Sequence, residues 1–380
     1  MNRMDAQAPT VPFVDLRAQY ETIRADIGDA LKDVLESGMF VLGPAVARFE
    51  EAFAQYIGVR ECVCMNSGTA AIQLGLMGLG LETGGEVIIP ANTFIATAEA
   101  VIWAGGRPVL VDVCEDDSNI DPAAIEAAIT PRTRGIMPVH LYGQAARLDE
   151  ILAIARRHGL FVLEDACQAH GATYAGRRAG SFGQAAAFSF YPGKNLGAYG
   201  EGGALVTNDP EVARKARILR DHGQSRKYEH VMLGHNYRLE GLQGAVLAVK
   251  LPYLDGWNEA RRRAAGWYIE TLAGIPLGLP LERRGGGHVY HLFVIRTSRR
   301  DGMQRFLRER GVEALIHYPI PIHHQPAMKT LGFERGQFPV TEALAPRILS
   351  LPIFPELTRV QVDRVSGLVH EFLREADGRN

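Results

Sequence analysis

The chain has 380 residues, with 41 Lys plus Arg against 43 Asp plus Glu and 47% hydrophobic residues. At about 100–200 residues per domain this allows two or three domains and a large core, and a net charge of −2 offers no basic field for a dedicated nucleic-acid binder. The start, MNRMDAQAPTVPFVDL, holds no apolar signal core, no stretch approaches about 18 uninterrupted apolar residues, and four cysteines are too few for a disulfide scaffold, so a reducing, cytoplasmic setting without a membrane span is expected.

Leu16, Tyr20, Ile23, Ile27, Leu31, Val34 and Leu35 recur at three- and four-residue steps and predict a first helix, closed by Gly38. A second helix is expected from Pro44, with Val46, Phe49, Phe53 and Tyr56 on one face. Seven short apolar runs follow, at 62–65, 86–90, 108–113, 135–140, 160–165, 185–190 and 203–208. Helix-length stretches such as 69–79, 94–104, 121–129 and 148–158 separate most of them, which predicts an α/β fold with a largely parallel sheet flanked by helices. Cys62 and Cys64 fall on one face of the first strand; with no partners at ligand spacing, no metal is expected. Cys114 and Cys167 read as small buried hydrophobes.

After about residue 250 the texture changes. The run 288–297 alternates like a strand, 303–311 is helical, 316–327 is rich in proline and histidine, and a last helix is expected around 359–374. These patterns predict a large α/β domain over 1–250 and a smaller α+β domain over 251–380, joined through a helix around 240–270.

Ligands of open α/β sheets bind beyond the carboxyl ends of the strands, and three loops at such ends carry chemistry. Asn66-Ser67-Gly68-Thr69-Ala70 leaves a strand and opens an apolar helix; free N–H groups and the helix dipole make it a phosphate cradle or a plain N-cap. Asp165 ends the run LFVLED, with Gln168 three residues on; a strand-end carboxylate takes a cationic partner or caps the next turn. The third loop, from Ser189 to Gly203, puts five glycines in the eleven residues 193–203, around Lys194. Most lysines are solvated surface charges, but a low-charge, glycine-rich loop between buried strands is where an amine loses water and its pKa falls. It is not a Walker A loop, since no glycine stands five before Gly193 and Asn195 replaces Ser/Thr. A phosphate cradle, a strand-end carboxylate and a sheltered lysine together match the needs of pyridoxal phosphate.

VPFVDL, NSGTAA, PANTFIAT, PVHLYGQ, EDACQAHGA, SFYPGKNLGAYGEGGA, HNYRLEGLQGA and HYPIPIHHQPA stand in one order between about residues 10 and 375. In these motifs the chain resembles the DegT–StrS family of pyridoxal-phosphate-dependent nucleotide-sugar aminotransferases. The resemblance implies the type I fold of such enzymes, with a mostly parallel seven-stranded sheet and a smaller C-terminal α+β domain. It implies that Lys194 forms the Schiff base with the cofactor and shuttles the proton, that Asp165 pairs with the pyridinium, and that Gln168 contacts the ring hydroxyl. Gly68, Thr69 and Ser189 would bind the phosphate, and Phe94 would stack on the ring. Asn236 of HNYR would reach the cofactor phosphate of the neighbouring subunit, so the family likeness also implies a homodimer with shared sites.

The same resemblance implies L-glutamate as amino donor and a nucleotide-linked keto-hexose as acceptor. His170, Tyr191, Arg238, His317, Tyr318 and His323 are the candidate substrate contacts, each with a structural alternative. The wording FYPGKNLGA is that of members acting on C3 ketones, which points to a dTDP- or UDP-linked 3-keto sugar. C4 and cyclitol aminotransferases share the scaffold. Dehydrating members carry His in place of the lysine, and a purely regulatory member would be expected to lack Lys194 or Asp165, both present here.

Overall fold

The computed structural model of the chain describes residues 10–283 and 285–377. Helices α1 (Leu16–Ser37) and α2 (Gly43–Ile57) come first, followed by α3 (Gly68–Gly78), α4 (Ala96–Trp103), α5 (Pro122–Ala127), α6 (Leu148–His158) and α7 (Pro210–Arg220). Strands β1 (Glu61–Met65), β2 (Glu86–Pro90), β3 (Arg107–Val111), β4 (Thr133–Ile136), β5 (Phe161–Asp165), β6 (Ala185–Ser189) and β7 (Gly203–Thr207) correspond to the seven apolar runs. They form one seven-stranded sheet in the order β1-β7-β6-β5-β4-β2-β3. Neighbours from β3 to β6 run parallel, whereas β7 is antiparallel to both β6 and β1. β7 can reverse because it follows β6 through a loop at one end of the sheet, with no crossover helix.

Alternation along the strands supplies a core on each face. Val63, Met65, Leu163, Ala185, Ala187 and Leu205 face α3 and α7. Cys62, Cys64, Ala186, Phe188, Ala204 and Val206 face Phe49 and Phe53 of α2 and Leu247 of α8 (Gly241–Lys250). Burial on both sides explains why these strands read as continuous apolar runs rather than as polar–apolar alternation. α1 lies on α8 through Ile23, Ile27 and Val246, while Leu35, assigned to the same apolar face from the sequence, is 60% exposed.

The C-terminal part is smaller and α+β. α9 (Leu254–Thr271), strand β8 (Phe293–Arg296), α10 (Arg300–Glu309), α11 (Pro339–Leu344), strand β9 (Ile348–Leu351) and α12 (Arg359–Asp377) follow in order. β8 and β9 pair antiparallel, and Tyr268, Phe293, Leu307, Leu351 and Val365 share a core with Val11 from the N-terminal segment. Val11 also bridges to Val312, so the first described residues rest on this smaller unit.

Three local patterns differ from the sequence reading, each for a backbone reason. The helix expected around 240–270 is two, α8 and α9, separated by a 3-10 turn at Leu251–Tyr253 where Pro252 has no N–H to donate. The run 135–140 leaves the ladder at Ile136, although Val139 still bridges to Asp165. The run 288–297 is strand only at Phe293–Arg296; the N–H groups of Val289 and Leu292 instead bond the carbonyls of Gly143 and Tyr142, which pulls the segment against the larger unit. Among the described residues no helix is long and apolar enough to cross a membrane.

Candidate active site

β1, β5 and β6 point their carboxyl ends to the same edge of the sheet, and β7 starts there. The register sets Met65 opposite Gly203, Gly203 opposite Ser189, and Asp165 opposite Ala187. The loops that follow β1, β5 and β6 therefore meet, and the loop from β6 to β7 carries Lys194. They line a cavity of about 650 Å³, closed from the C-terminal side by His291, His317 and Tyr318. That volume lies within the range of small-molecule sites, about 300–1,000 Å³.

At the β1 side, Ser67 caps α3 by accepting the Ala70 N–H at 3.1 Å, and the Ala71 N–H bonds the Ser67 carbonyl at 3.1 Å. The N–H groups of Gly68 and Thr69 precede these bonds and remain for a ligand, at the positive end of the helix dipole. Gly68 is required by close approach: a Cβ there would lie 2.6 Å from Ser189 Cβ and 2.9 Å from Cys167 Sγ. Gly68→Ala is expected to destabilise the protein by about 1–3 kcal/mol through overpacking, read as a lower urea midpoint. An unchanged midpoint would mean that Ser189 moves aside freely.

Asp165 is buried and its carboxylate is aimed by two donors, Thr97 Oγ1 to Oδ2 at 2.9 Å and the Cys167 N–H to Oδ1 at 3.2 Å. Thr93 Oγ1 lies 2.9 Å from Thr97 Oγ1 and extends the chain. The Asp165 backbone is fixed as well, its N–H donating to Pro138 O and its carbonyl accepting from the His140 N–H, both at 2.9 Å. Next to it, Glu164 points to the opposite face, where it accepts from His140 Nε2 and from the N–H groups of Gly180, Phe182 and Gly183. That pair anchors the strand rather than the cavity.

Lys194 is held by its N–H to the Tyr191 carbonyl at 2.9 Å and lines the cavity. Burial pushes its amine below the usual lysine range, with Cys167 and Asp165 opposing. Around it stand three imidazoles kept neutral. Burial and then Lys194 push His317 down to about 4 and His170 to about 3, and move His291 the same way.

Gln168 accepts the Tyr142 N–H at 2.8 Å and donates to Tyr318 Oη at 3.1 Å, so its amide is fixed in orientation. Phe94 is 50% exposed, its ring 5.4 Å from that of Tyr318. Tyr142 Oη donates to the His317 carbonyl at 2.6 Å, and His317 Nδ1 lies 2.8 Å from Ser350 Oγ, which ties this wall to both units.

Gly68, Thr69, Phe94, Asp165, Gln168, Ser189, Tyr191, Lys194, His317 and Tyr318 thus come together around one cavity. Four sequence candidates do not line it. His170 is fully buried between Phe188 and Phe190. His323 is buried on the far side of its loop, 3.3 Å from Glu342, whose carboxylate also accepts from the Gly336 N–H. Arg238 bonds Asp221 Oδ1 at 2.9 Å and Asn236 Oδ1 at 2.7 Å, which keeps both Arg238 and Asn236 outside the cavity of their own chain. Residues on the cavity that sequence reasoning did not place there are Thr97, Cys167, His291 and Arg261. Cys167 was read as a buried hydrophobe, yet it borders the cavity with its thiol near Gly68. Thr97 lay within PANTFIAT, four residues after Thr93, and that spacing was the available signal.

The donor set fits pyridoxal phosphate. The two open N–H groups and the hydroxyls of Thr69 and Ser189 suit a phosphate, the aimed carboxylate suits a pyridinium, and the desolvated amine suits a carbonyl. Gly68 leaves the cradle free of a side chain.

Comparison with known proteins gives the family. The family model described as the DegT/DnrJ/EryC1/StrS aminotransferase family matches residues 21–370. The chain is 48% identical over 373 residues to dTDP-3-amino-3,4,6-trideoxy-alpha-D-glucose transaminase of Streptomyces venezuelae, covering 98% of each chain. It is 45% identical over 367 residues to UDP-N-acetyl-3-dehydro-alpha-D-glucosamine 3-aminotransferase of Acidithiobacillus ferrooxidans, covering 97% of this chain and 99% of that one. The crystal structure of S. venezuelae DesV in complex with a ketimine intermediate superposes with a TM-score of 0.94 at 48% identity, covering 96% of this chain and 99% of that one. With the family matched over most of its length and the fold shared, this chain belongs to the pyridoxal-phosphate-dependent DegT/DnrJ/EryC1/StrS aminotransferase family.

Proposed function

We propose that this chain transfers the amino group of L-glutamate to the C3 ketone of a dTDP- or UDP-linked hexose, giving a 3-amino sugar, and that it works as a homodimer. The observation that carries this reading is the meeting of Lys194, Asp165 and the N-terminus of α3 in one cavity, with Tyr191, His317 and Tyr318 on its remaining wall. When bound, pyridoxal phosphate supplies the electron sink for breaking and forming the C–H bond of the amine-bearing carbon.

This chain's residues do the rest. Lys194 Nζ would hold the cofactor, and as the free amine it would take the proton from the donor's Cα and later give one to the sugar carbon. Its desolvation lowers its pKa, which favours the neutral amine that takes the proton and makes the protonated amine a stronger acid for giving one back. Asp165 stabilises positive charge on the ring nitrogen, and Gln168 orients the ring hydroxyl. Gly68, Thr69 and Ser189 bind the phosphate. Phe94, half-exposed at the cavity, offers the face on which an aromatic ring stacks. Tyr191, His317 and Tyr318 contact the sugar.

Two features support the dimer. Asn236 and Arg238 lie outside their own cavity, available to a second copy. The nearby segment 228–233 exposes apolar side chains, Tyr228 at 82% and Leu233 at 95%, which a partner surface would cover. The four cysteines are free, the thiols of Cys62 and Cys64 lying 4.0 Å apart in a hydrogen-bonding contact.

The wording of the lysine loop and the names of both relatives support C3 chemistry. A turnover panel of C3- and C4-keto dTDP- and UDP-sugars, with L-glutamate as donor, tests this. Conversion of 3-keto substrates is expected. Activity confined to 4-ketones would move the protein to the C4 class, activity confined to keto-cyclitols would remove the nucleotide sugar, and no turnover with any of them would favour a regulatory role.

A further inference from the structure

We infer that His291 is a specificity residue: a hydrogen-bond acceptor in the cavity wall that receives a hydroxyl flanking the ketone of the sugar. The inference rests on the sugar transamination proposed above.

The tautomer follows from a chain of bonds whose ends are carbonyls, which only accept. Asn258 Nδ2 donates to His170 O at 2.8 Å, which leaves Asn258 Oδ1 to accept from Asn195 Nδ2 at 2.8 Å. Asn195 Nδ2 also donates to Val289 O at 2.9 Å. Both amides are thereby fixed, and Asn195 must present its Oδ1 to His291. The 3.2 Å contact between Asn195 Oδ1 and His291 Nδ1 therefore needs the proton on Nδ1. In a neutral ring this leaves Nε2 with a lone pair and no proton.

The ring is neutral, because burial first, and the Arg261 guanidinium with it, oppose a second proton. His291 lines the cavity, and among the described residues its Nε2 has no hydrogen-bond partner. The backbone is held too: Arg261 Nη1 donates to the carbonyls of Tyr290 at 3.2 Å, His291 at 3.4 Å and Ile353 at 3.0 Å. The network starts at Asn195, the residue after Lys194, so the acceptor is positioned relative to the lysine loop itself.

An acceptor that cannot donate binds a hydroxyl and repels a carbonyl oxygen. Close to Lys194, it sorts substrates by what flanks the reacting carbon: a hydroxyl there is accepted, and a second carbonyl is refused.

The test uses holoenzyme and two variants. In His291→Asn the amide takes the place of Nδ1 and keeps the bond to Asn195, but nothing replaces Nε2. In His291→Gln the amide reaches the Nε2 position and can present an oxygen there. His291→Asn is expected to raise KM for a dTDP-linked 3-keto hexose about tenfold, the effect of one lost hydrogen bond. Its half-reaction with L-glutamate alone, followed by absorbance, is expected to stay within about threefold of the parent. His291→Gln is expected to fall nearer the parent in KM. With a 3-keto analogue lacking the flanking hydroxyls, the parent and His291→Asn should become equal.

An equal effect of His291→Asn on both half-reactions would overturn the inference, because the ring would then act on Lys194 or on the fold. So would a tenfold effect that persists with the deoxy analogue. If His291→Asn does not fold, a KM for His291→Gln more than tenfold above the parent, at an unchanged thermal midpoint, overturns it instead. A parent protein that converts glutamate but no nucleotide keto-sugar overturns the function proposed above, and with it this role of His291.

Discussion

Lys194→Ala is expected to give a folded but colourless protein, lacking the absorbance near the visible–ultraviolet border of the lysine-bound cofactor, with turnover lower by at least about 10⁴-fold. The size of the effect reflects the two functions proposed for one atom: Nζ would both anchor the cofactor and move the proton. No neighbour can stand in for it. Of the imidazoles around it, His170 is sealed in the core, and burial holds His291 and His317 below the usual imidazole range, so each is a weak base, and none is an amine that could hold the cofactor. Folding should survive, because the loop is held by its backbone: Lys194 N–H to Tyr191 O, Ala198 N–H to Phe190 O and Phe190 N–H to Gly202 O. Absorbance spectra and steady-state rates of the two proteins, after incubation with pyridoxal phosphate, decide the matter. A variant that keeps the colour would remove Lys194 from its assigned place.

Asp165→Asn is the second large effect, a loss of about 10²–10⁴-fold in turnover with little change in stability. The amide is nearly isosteric. Its oxygen can still accept from Thr97 Oγ1 or from the Cys167 N–H, the two donors that aim the carboxylate. What disappears is the negative charge, in a buried place where no water replaces it. A ring nitrogen facing a neutral amide is not held protonated, and the electron sink weakens. The loaded variant should therefore keep the colour of the bound cofactor and lose rate, the reverse of a folding defect. Turnover within about fivefold of the parent would mean that the charge partner lies elsewhere.

The resemblance in eight motifs named the family, and the chemistry of three loops was legible before any coordinate. Lys194 stood out because five glycines surround it in a low-charge loop, Asp165 because it ends an apolar run, and Gly68 because it opens a helix after a strand. Those signals are local. They depend on strand ends, helix starts and loop composition, which the order of residues encodes directly. The strand runs were legible for the same reason, since a sheet covered on both faces demands uninterrupted apolar segments.

The cavity wall formed by the smaller unit was legible only in part. HYPIPIHHQPA drew attention to His317, Tyr318 and His323 alike, yet only the first two line the cavity, while His323 turns to Glu342. A backbone turn at Ile322–His324 decides this, and composition has no bearing on it. His170 looked like a cavity residue from its place in EDACQAHGA; packing between Phe188 and Phe190 puts it in the core. His291 was hidden in a run that alternates like a strand, because the bonds that draw it away from a ladder come from Gly143 and Tyr142, some 150 residues earlier in the chain.

By itself, the sequence determined the class of fold and the family, and it singled out a lysine, a carboxylate and a glycine as site candidates, since each follows from short-range pattern. The tertiary structure alone decided which side chains share the cavity. It also decided that Thr97 aims the carboxylate and that Asn195 sets the tautomer of His291. Those relations join residues 63–96 positions apart, and a hydrogen bond between such partners exists only once the sheet register and the packing of the smaller unit have brought them within 3.2 Å.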